Sequence, residues 1–239
     1  MSFGISNSSS NIILQTPGLF ACWSSENAVA PSGTADTILD LSANNQPARY
    51  LQKVGATGPT VTLGDSSYNL YPSINSTSAN IRMQSTFDQS LAQPATVYIV
   101  TSLINNAGTY FITTNAGNFD NSLGMSMSSA GNISMQCANA GPALTTSSTH
   151  NDDGTHVLAA IYNTSNSELY IDNSQTPVAQ SPGDGSVSSN SAAAITIGTF
   201  GTAITYSWAF IAYYSGAHDQ YTRFRIMSFL GRKYKISTS

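Results

Sequence analysis

The chain has 239 residues, 41% of them apolar, so it is long enough to bury a sizeable core and suits a single all-β domain. Only 8% of the residues are charged and the net charge is −4, which argues against general binding to nucleic acid or anionic lipid. Glu occurs twice and Lys three times, so strong helix formers are scarce. This composition favours strands and loops.

The N-terminal segment, MSFGISNSSSNIILQTPGLF, has no basic region followed by a continuous apolar run, so we predict no secretory signal. A Ser- and Asn-rich terminus becomes ordered only when something holds it. We therefore expect residues 1–16 to form an arm held by a partner, and residues 17–239 to form one domain.

Short apolar runs bounded by turn residues follow one another along the chain, and each is typical of a β-strand. The runs are NIILQ, LFACWSS, TVTL, ANIRMQ, ATVYIVTSL, TYFITT, LGMSMS, GNISMQ, THVLAAIYN, SELYIDN, AAITIG and ITYSWAFIAYYS. Strands at this spacing, with almost no helix between them, predict an all-β antiparallel sandwich or barrel. The segment from Asn163 to Ser167 predicts a hairpin loop, and Asp172-Asn173 predicts the turn that follows.

Several buried residues can also be predicted from these runs. Trp23 and Trp208 lie within apolar strands and are expected in the core. Cys22 and Cys137 are either bonded to each other or are two small buried hydrophobic residues, and the sequence leaves both alternatives open. The uncharged segment from Ile195 to Ala212 contains four Thr, two Gly and a Ser, so it fits two strands better than a membrane span.

The end of the chain, AHDQYTRFRIMSFLGRKYK, predicts the one helix. Tyr221, Phe224, Met227 and Leu230 recur every three positions and are interpreted as a stripe that seals the sandwich. Asp219 lies near the predicted start, Gly231 near the predicted end, and Arg232, Lys233 and Lys235 lie where the helix dipole favours cations. Under this interpretation Phe224→Asp should unfold the domain, Lys233→Ala should change little, and the basic residues should contact neither nucleic acid nor lipid.

Three segments resemble the concanavalin A-like superfamily, in particular its laminin-G-like jelly rolls. LDLSANNQPARYLQ (Leu39 to Gln52) is similar to the D-x-S-G-x-G-N-x-A segment that follows an early Trp, here Trp23. ELYIDN is similar to LYVDG, and the strand and helix at the end of the chain are similar to the family's ending. The resemblance implies the fold, an all-β antiparallel sandwich of the jelly-roll type with one short C-terminal helix, but it transfers no ligand site.

Catalytic patterns point away from an enzyme. Glycosidases with this fold use paired carboxylates, whereas Glu26 and Glu168 lie in unrelated segments. GDS (Gly64 to Ser66) and DGTH (Asp153 to His156) resemble the two blocks of GDS-type esterases, but those enzymes need an α/β sheet. We predict that the protein is not an enzyme.

Metal and cofactor patterns are equally sparse. His150, His156 and His218 show no paired ligand spacing with the cysteines. A Ca²⁺ ion at Asp152-Asp153 or Asp120 is an alternative, but ordinary turn aspartates are favoured, so no metal and no cofactor is predicted.

Sugar binding needs an exposed aromatic ring beside hydrogen-bonding side chains. GNFD supplies this combination, so Asn118, Phe119 and Asp120 are the glycan-binding candidates.

Two functions fit these observations. The first is a non-catalytic structural or adhesive virion protein of a bacteriophage, a capsid decoration or tail component, whose partners are other virion proteins and copies of itself in a symmetric homo-oligomer such as a trimer. The alternative is a secreted or cell-surface lectin-like module that binds glycans. Neither function involves nucleic acid or insertion into a membrane.

Overall fold

The computed structural model describes residues 12–30, 33–42, 49–76, 81–102, 109–113, 123–137, 143–150, 152–181, 183, 192–198 and 206–236. Within these residues two antiparallel sheets pack face to face, and a helix near the C-terminus lies against the outside of one of them. The predicted all-β sandwich with one short C-terminal helix is confirmed.

The helices and strands of the described residues have the following bounds. The helices are α1 (Ile12–Gln15) and α2 (Gln220–Tyr234). The strands are β1 (Leu19–Ser24), β2 (Ala28–Val29), β3 (Thr37–Ile38), β4 (Leu51–Lys53), β5 (Thr60–Thr62), β6 (Ser73–Ser76), β7 (Arg82–Leu91), β8 (Ala95–Ser102), β9 (Thr109–Thr113), β10 (Gly124–Met127), β11 (Ile133–Gln136), β12 (Leu144–Thr145), β13 (Thr155–Tyr162), β14 (Glu168–Ile171), β15 (Ala179–Gln180), β16 (Ala192–Gly198) and β17 (Tyr206–Ser215). No helix in this described part of the chain is long and apolar enough to cross a bilayer.

The two sheets differ in what covers them. The helix-backed sheet has the order β15-β14-β13-β8-β17-β6-β5, and β1 also pairs with β17. The outer sheet has the order β12-β11-β10-β9-β16-β7-β4-β3-β2. Every residue of β8 is buried, because one face meets the outer sheet and the other meets α2, whereas β7 alternates between buried and exposed residues along much of its length.

Two apolar clusters fill the layers. Trp23 and Trp208 lie fully buried between the sheets, so their predicted place in the core is confirmed. The second cluster, between the helix-backed sheet and the helices, contains Tyr98 and Tyr214. Cys137 belongs to the first cluster and Cys22 to the second, and they form no disulfide with each other, so they are two buried small residues.

The segment that resembles laminin-G-like domains ties β1 into the sandwich. Oδ1 of Asp40 accepts hydrogen bonds from the backbone N–H groups of Cys22 (2.9 Å) and Ser42 (3.0 Å). The buried Arg49 binds the Asp88 carboxylate at 2.6 Å, and its Nη1 donates to the carbonyl of Phe20. These contacts explain why an acidic and a basic residue are both buried here.

The hairpin prediction is confirmed. β13 and β14 pair with Ala159 opposite Tyr170. Asp172 and Asn173 follow with φ angles of 48° and 64°, the left-handed conformation that short polar residues adopt most readily. The hairpin therefore turns where the sequence predicts.

The first predicted strand is wrong. Within NIILQ, residues Ile12–Gln15 form α1, because Ile13 is buried against the helix-backed sheet and its carbonyl accepts a hydrogen bond from the Tyr214 hydroxyl at 2.8 Å. Residues 1–11 lie outside the described residues. The arm at residues 1–16 and the domain at 17–239 stay predictions.

Helix α2 exists and begins where predicted, but it buries a different face. Asp219 is the N-cap, and Oδ1 accepts from the Thr222 N–H at 2.7 Å. Met227 and Leu230 are buried as predicted, but Tyr221 is 68% exposed and Phe224 is 41% exposed, so the predicted stripe is wrong at these two positions. Residues three apart shift by about 60° per step around a helix of 3.6 residues per turn, so a three-residue repeat cannot keep to one face. The buried positions are Arg223, Ile226, Met227, Leu230, Gly231 and Tyr234.

The predicted break at Gly231 is also wrong. This glycine is buried inside α2, and the helix ends at Tyr234. Lys235 then adopts a left-handed conformation, and its N–H group reaches the carbonyls of Arg232 and Gly231.

Candidate functional site

The basic residues near the C-terminus divide into two groups. Arg223 is buried, its Nη1 donates to the Ser174 carbonyl at 3.0 Å, and its guanidinium lies 3.4 Å from the centre of the Tyr170 ring. Lys233 forms an ion pair with Glu26. Both cations therefore hold α2 in place, and the prediction that Lys233→Ala changes little does not fit this environment.

The second group is exposed. Arg225, Arg232 and Lys235 point to solvent, and none of them forms an ion pair with an acidic side chain in the described ranges. The chain as a whole carries a net charge of −4, so this cluster is a local basic patch on an acidic protein. Such a patch attracts anions.

Aromatic rings share this face of α2. Tyr221, Arg225, Ser228, Arg232 and Lys235 follow one another at alternating spacings of four and three residues, which places them along one side of the helix. The Arg225 guanidinium lies 5.4 Å from the centre of the Tyr221 ring, and Phe224, the residue before Arg225 in the helix, is also exposed. We call the six residues Tyr221, Phe224, Arg225, Ser228, Arg232 and Lys235 the α2 face.

A groove of about 270 Å³ runs along the α2 face where α1 meets α2. Ile12 and Phe229, both half-buried, and the ring of Phe224 supply apolar surface. Ser228 adds a hydroxyl, and Arg225 and Arg232 line the same groove. A guanidinium binds a carboxylate through two parallel hydrogen bonds, so the groove suits a ligand with both an apolar surface and an acidic group.

A second cleft, of about 220 Å³, lies near the edge of the sandwich. Its lining is mostly apolar and comprises Ser25, Glu26, Ala28, Ala30, Gly33, Val61, Leu63 and Pro72. The carboxylate of Glu26 already accepts a hydrogen bond from the Ser24 hydroxyl at 3.2 Å and pairs with Lys233. This cleft therefore has its charged group engaged within the protein.

The predicted glycan-binding residues Asn118, Phe119 and Asp120 lie outside the described residues, so this candidate stays a prediction. The α2 face was missed because Tyr221 and Phe224 were assigned to the core. A helix face drawn through Arg223, Ile226, Met227, Leu230 and Tyr234, which recur at spacings of three and four residues, leaves Tyr221 and Phe224 on the solvent side.

The esterase pattern is not assembled. Ser66 starts the 3₁₀ turn Ser66–Tyr68, and Asp65 caps that turn by accepting from the Ser67 N–H at 2.9 Å. His156 lies in β13, and β8 and β17 separate β13 from β6, the strand that follows Ser66. Three strand spacings amount to about 14 Å, too far for proton transfer between the two side chains.

The paired-carboxylate pattern of glycosidases is not assembled either. Glu26 pairs with Lys233, and Glu168 accepts a hydrogen bond from the Tyr170 hydroxyl at 2.8 Å. The two glutamates thus have separate structural partners. Among the described residues, moreover, no group of three or more His, Cys, Asp or Glu is arranged to hold a metal ion.

His156 lies between two carboxylates. Its Nδ1 is 2.5 Å from Asp172 and its Nε2 is 2.8 Å from Asp152. Burial alone would lower the pKa of His156, but the hydrogen bonds and charges of Asp172 and Asp152 outweigh burial and raise that pKa above its usual 6.5. Asp152 also accepts from the Gly154 N–H, so these aspartates clamp the start of β13 to the turn after β14.

This clamp predicts a pH-dependent stability. Because the pKa of His156 is raised in the folded state, its contribution is complete below pH 6.5 and is lost as the pH rises through the folded value. His156→Gln should therefore destabilise the protein more at pH 5.5 than at pH 8.5, by about 0.5–1 kcal/mol after allowance for solvent screening. Urea unfolding of both proteins at the two pH values measures this difference, and an equal loss at both would contradict it.

No protein-family model matches the sequence, and no curated protein sequence matches it significantly. Solved structures do match. The receptor-binding domain of a botulinum neurotoxin C/D mosaic serotype is 10% identical with a TM-score of 0.65, and the match covers 89% of this chain and 51% of that one. The serotype D ligand-binding domain in complex with N-acetylneuraminic acid is 12% identical with a TM-score of 0.61, covering 89% and 51%. The binding domain of neurotoxin DC in complex with rat synaptotagmin II is 11% identical with a TM-score of 0.61, covering 89% and 52%.

Identities this low show a shared fold. They agree with the jelly roll that the sequence resemblance implied, and the chain spans about half the length of each matching structure. All three neighbours are described as binding domains, and none of them is a virion protein. The comparisons therefore give no support to a phage origin.

Proposed function

We propose that the protein is a non-catalytic, glycan-binding jelly roll and that its α2 face binds a sugar carrying a carboxylate. The observation that carries the proposal is that the exposed ring of Phe224 lines one groove together with Arg225 and Arg232, whose guanidinium groups have no acidic partner among the described residues. Support also comes from neighbours described in complex with N-acetylneuraminic acid and with a sialylated ligand. The carbohydrate-binding alternative thus has better support than the virion role.

The groove offers complementary chemistry to each part of such a ligand. The apolar side of a pyranose ring can lie on Phe224, while Ser228 supplies a hydroxyl for the sugar hydroxyl groups. Arg225 and Arg232 are seven residues apart, about 10 Å along the helix axis, so one can bind the carboxylate while the other binds a second polar group. A neutral sugar would leave both guanidinium groups without an anionic partner.

We expect Arg225→Ala combined with Arg232→Ala to weaken binding of 3′-sialyllactose by about tenfold or more, because each charged hydrogen bond contributes roughly 1.5–3 kcal/mol. Isothermal titration calorimetry of the purified 239-residue chain measures this effect, with lactose as the neutral ligand. Lys53→Ala is the matched control, since Lys53 pairs with Asp36 away from the groove. Unchanged sialyllactose binding by the double variant would overturn the assignment to the α2 face.

A second comparison separates the two candidate sites. If Phe224→Ala weakens binding and Phe119→Ala does not, the α2 face is the site. If Phe119→Ala abolishes binding instead, the site lies at the residues 118–120 predicted from the sequence. The virion location, the symmetric homo-oligomer and the absence of catalysis remain hypotheses beside this proposal.

A further inference from the structure

His218 anchors the start of α2 to the helix-backed sheet. Its backbone N–H donates to Oγ1 of Thr96 at 3.0 Å, and its Nδ1 is 2.9 Å from the Tyr98 hydroxyl. The ring centre lies 4.6 Å from that of Tyr214. The next residue is Asp219, the N-cap of α2, so the first turn of the helix depends on the position of His218.

A proton on the other nitrogen of this imidazole would have no hydrogen-bond acceptor among the described residues. Nε2 of His218 is buried and has no hydrogen-bond partner among the described residues. The groups around the ring are Thr96 and Tyr98 from β8 and Tyr214 from β17, none of which is an anion at neutral pH. Two charged groups at the start of α2 also act here. The exposed carboxylate of Asp219 interacts electrostatically with His218, and the cation of Arg223 interacts with Tyr98.

Protonation of His218 is therefore unfavourable while the helix is packed. Burial lowers the pKa of His218 to about 4, although the charge of Asp219 opposes this shift. Because the folded value lies below the ordinary value of 6.5, the packed state has its full stability above pH 6.5 and loses it as the pH falls towards 4. Acidification thus favours an arrangement in which the imidazole reaches water.

Exposure of the His218 imidazole would move the N-terminal end of α2. Tyr221 lies in the first turn after Asp219, ahead of the buried anchor Arg223, so it follows any movement of the N-terminal end and its contact with Arg225 changes with it. The other end is held separately, because Lys233 pairs with Glu26 and its carbonyl accepts from Nδ2 of Asn69 at 2.8 Å. Release of His218 would therefore displace part of the α2 face while the helix stays attached.

We propose that His218 is an acid-sensitive latch: acidification releases the first turn of α2 and lowers the affinity of the α2 face for its ligand. The affinity part rests on the proposed function. Between pH 7.5 and pH 5.0 the ratio of released to packed helix should rise by up to about thirtyfold, less if partial exposure screens the charge.

Hydrogen exchange tests the latch directly. Exchange in residues 219–227 is followed by mass spectrometry at pH 7.5 and pH 5.0, with correction for the intrinsic effect of pH, for wild type, His218→Gln and His218→Phe. We expect protection to fall by about tenfold in wild type at pH 5.0 and to change little in either variant. His150→Gln is the matched control, since it removes a histidine whose Nε2 lies 3.1 Å from the Ser148 hydroxyl, and it should behave like wild type. The amides of β8 provide the internal reference, so the wild type alone is decisive if neither variant folds.

Binding of 3′-sialyllactose at the two pH values completes the test. The latch is supported if affinity falls at pH 5.0 in wild type but not in His218→Gln. It is overturned if helix protection is the same at both pH values, or if the variants lose protection as wild type does. Absence of sialyllactose binding at both pH values, with an acid-dependent loss of helix protection, would instead refute the proposed function and leave the helix response intact.

Discussion

Ile226→Asp is expected to lower the free energy of unfolding by roughly 3–5 kcal/mol, a large share of the stability of a domain of this size. Ile226 has no exposed surface and packs in the cluster between α2 and the helix-backed sheet. A carboxylate at this position would lose its hydration without gaining a partner, and the apolar contacts of the isoleucine would also be lost. Urea unfolding, followed by the fluorescence of the two buried tryptophans, measures the effect.

Phe224→Asp is the matched control, two positions away on the same helix. Its side chain is 41% exposed, so a carboxylate there stays hydrated and should cost less than about 1 kcal/mol. The sequence pattern alone predicts the opposite result for Phe224. Unfolding by Phe224→Asp combined with a stable Ile226→Asp protein would mean that α2 buries the other face.

Lys233→Ala is expected to cost roughly 2–4 kcal/mol, since removing one member of a buried ion pair leaves the other charge without its partner. Lys233 and Glu26 have side chains only 12% and 6% exposed. The ammonium group also lies 4.7 Å from the centre of the Tyr71 ring, a favourable cation–π distance. Thermal and urea unfolding of the variant give the loss.

The control for this second change is Lys235→Ala, two residues further on. Lys235 is exposed and has no ion pair with a described acidic residue, so its removal should change stability by less than about 0.5 kcal/mol. Adding Glu26→Gln to Lys233→Ala should restore part of the loss, because the unpaired carboxylate is then absent. Equal stabilities for the two lysine variants would show that the Lys233–Glu26 pair contributes nothing.

The elements that the sequence predicts well are those whose signal is local. β8 and β17 read as apolar runs with aromatic and β-branched residues, and the Asp172-Asn173 turn needs only residues that tolerate a positive φ. The start of α2 is also local, because Asp219 caps the helix with its own side chain. Apart from β5, the strands of two or three residues, such as β2 and β12, were missed because they exist only through pairing with a neighbouring strand.

The candidate site depended on a choice that periodicity could not make. The end of the chain offers two possible buried faces of the helix. One is a three-residue repeat of Tyr221, Phe224, Met227 and Leu230, and the other is a mixed repeat that includes Arg223 and Ile226. Sequence patterns favoured the first because an arginine is seldom buried. The structure buries Arg223, since the Tyr170 ring and the Ser174 carbonyl accommodate its guanidinium.

From the sequence alone, this protein is an antiparallel sandwich with a capped C-terminal helix, because alternation, turn chemistry and capping act between residues close in the chain. Only the tertiary structure decided which face of α2 is buried, which lysine is paired and where the exposed rings and arginines converge. Those outcomes depend on partners far away in sequence: Glu26 for Lys233, Tyr170 for Arg223 and Ile12 beside the groove. A contact across such separations is specified by how the sheets and the helix pack, so no short segment of the sequence contains it.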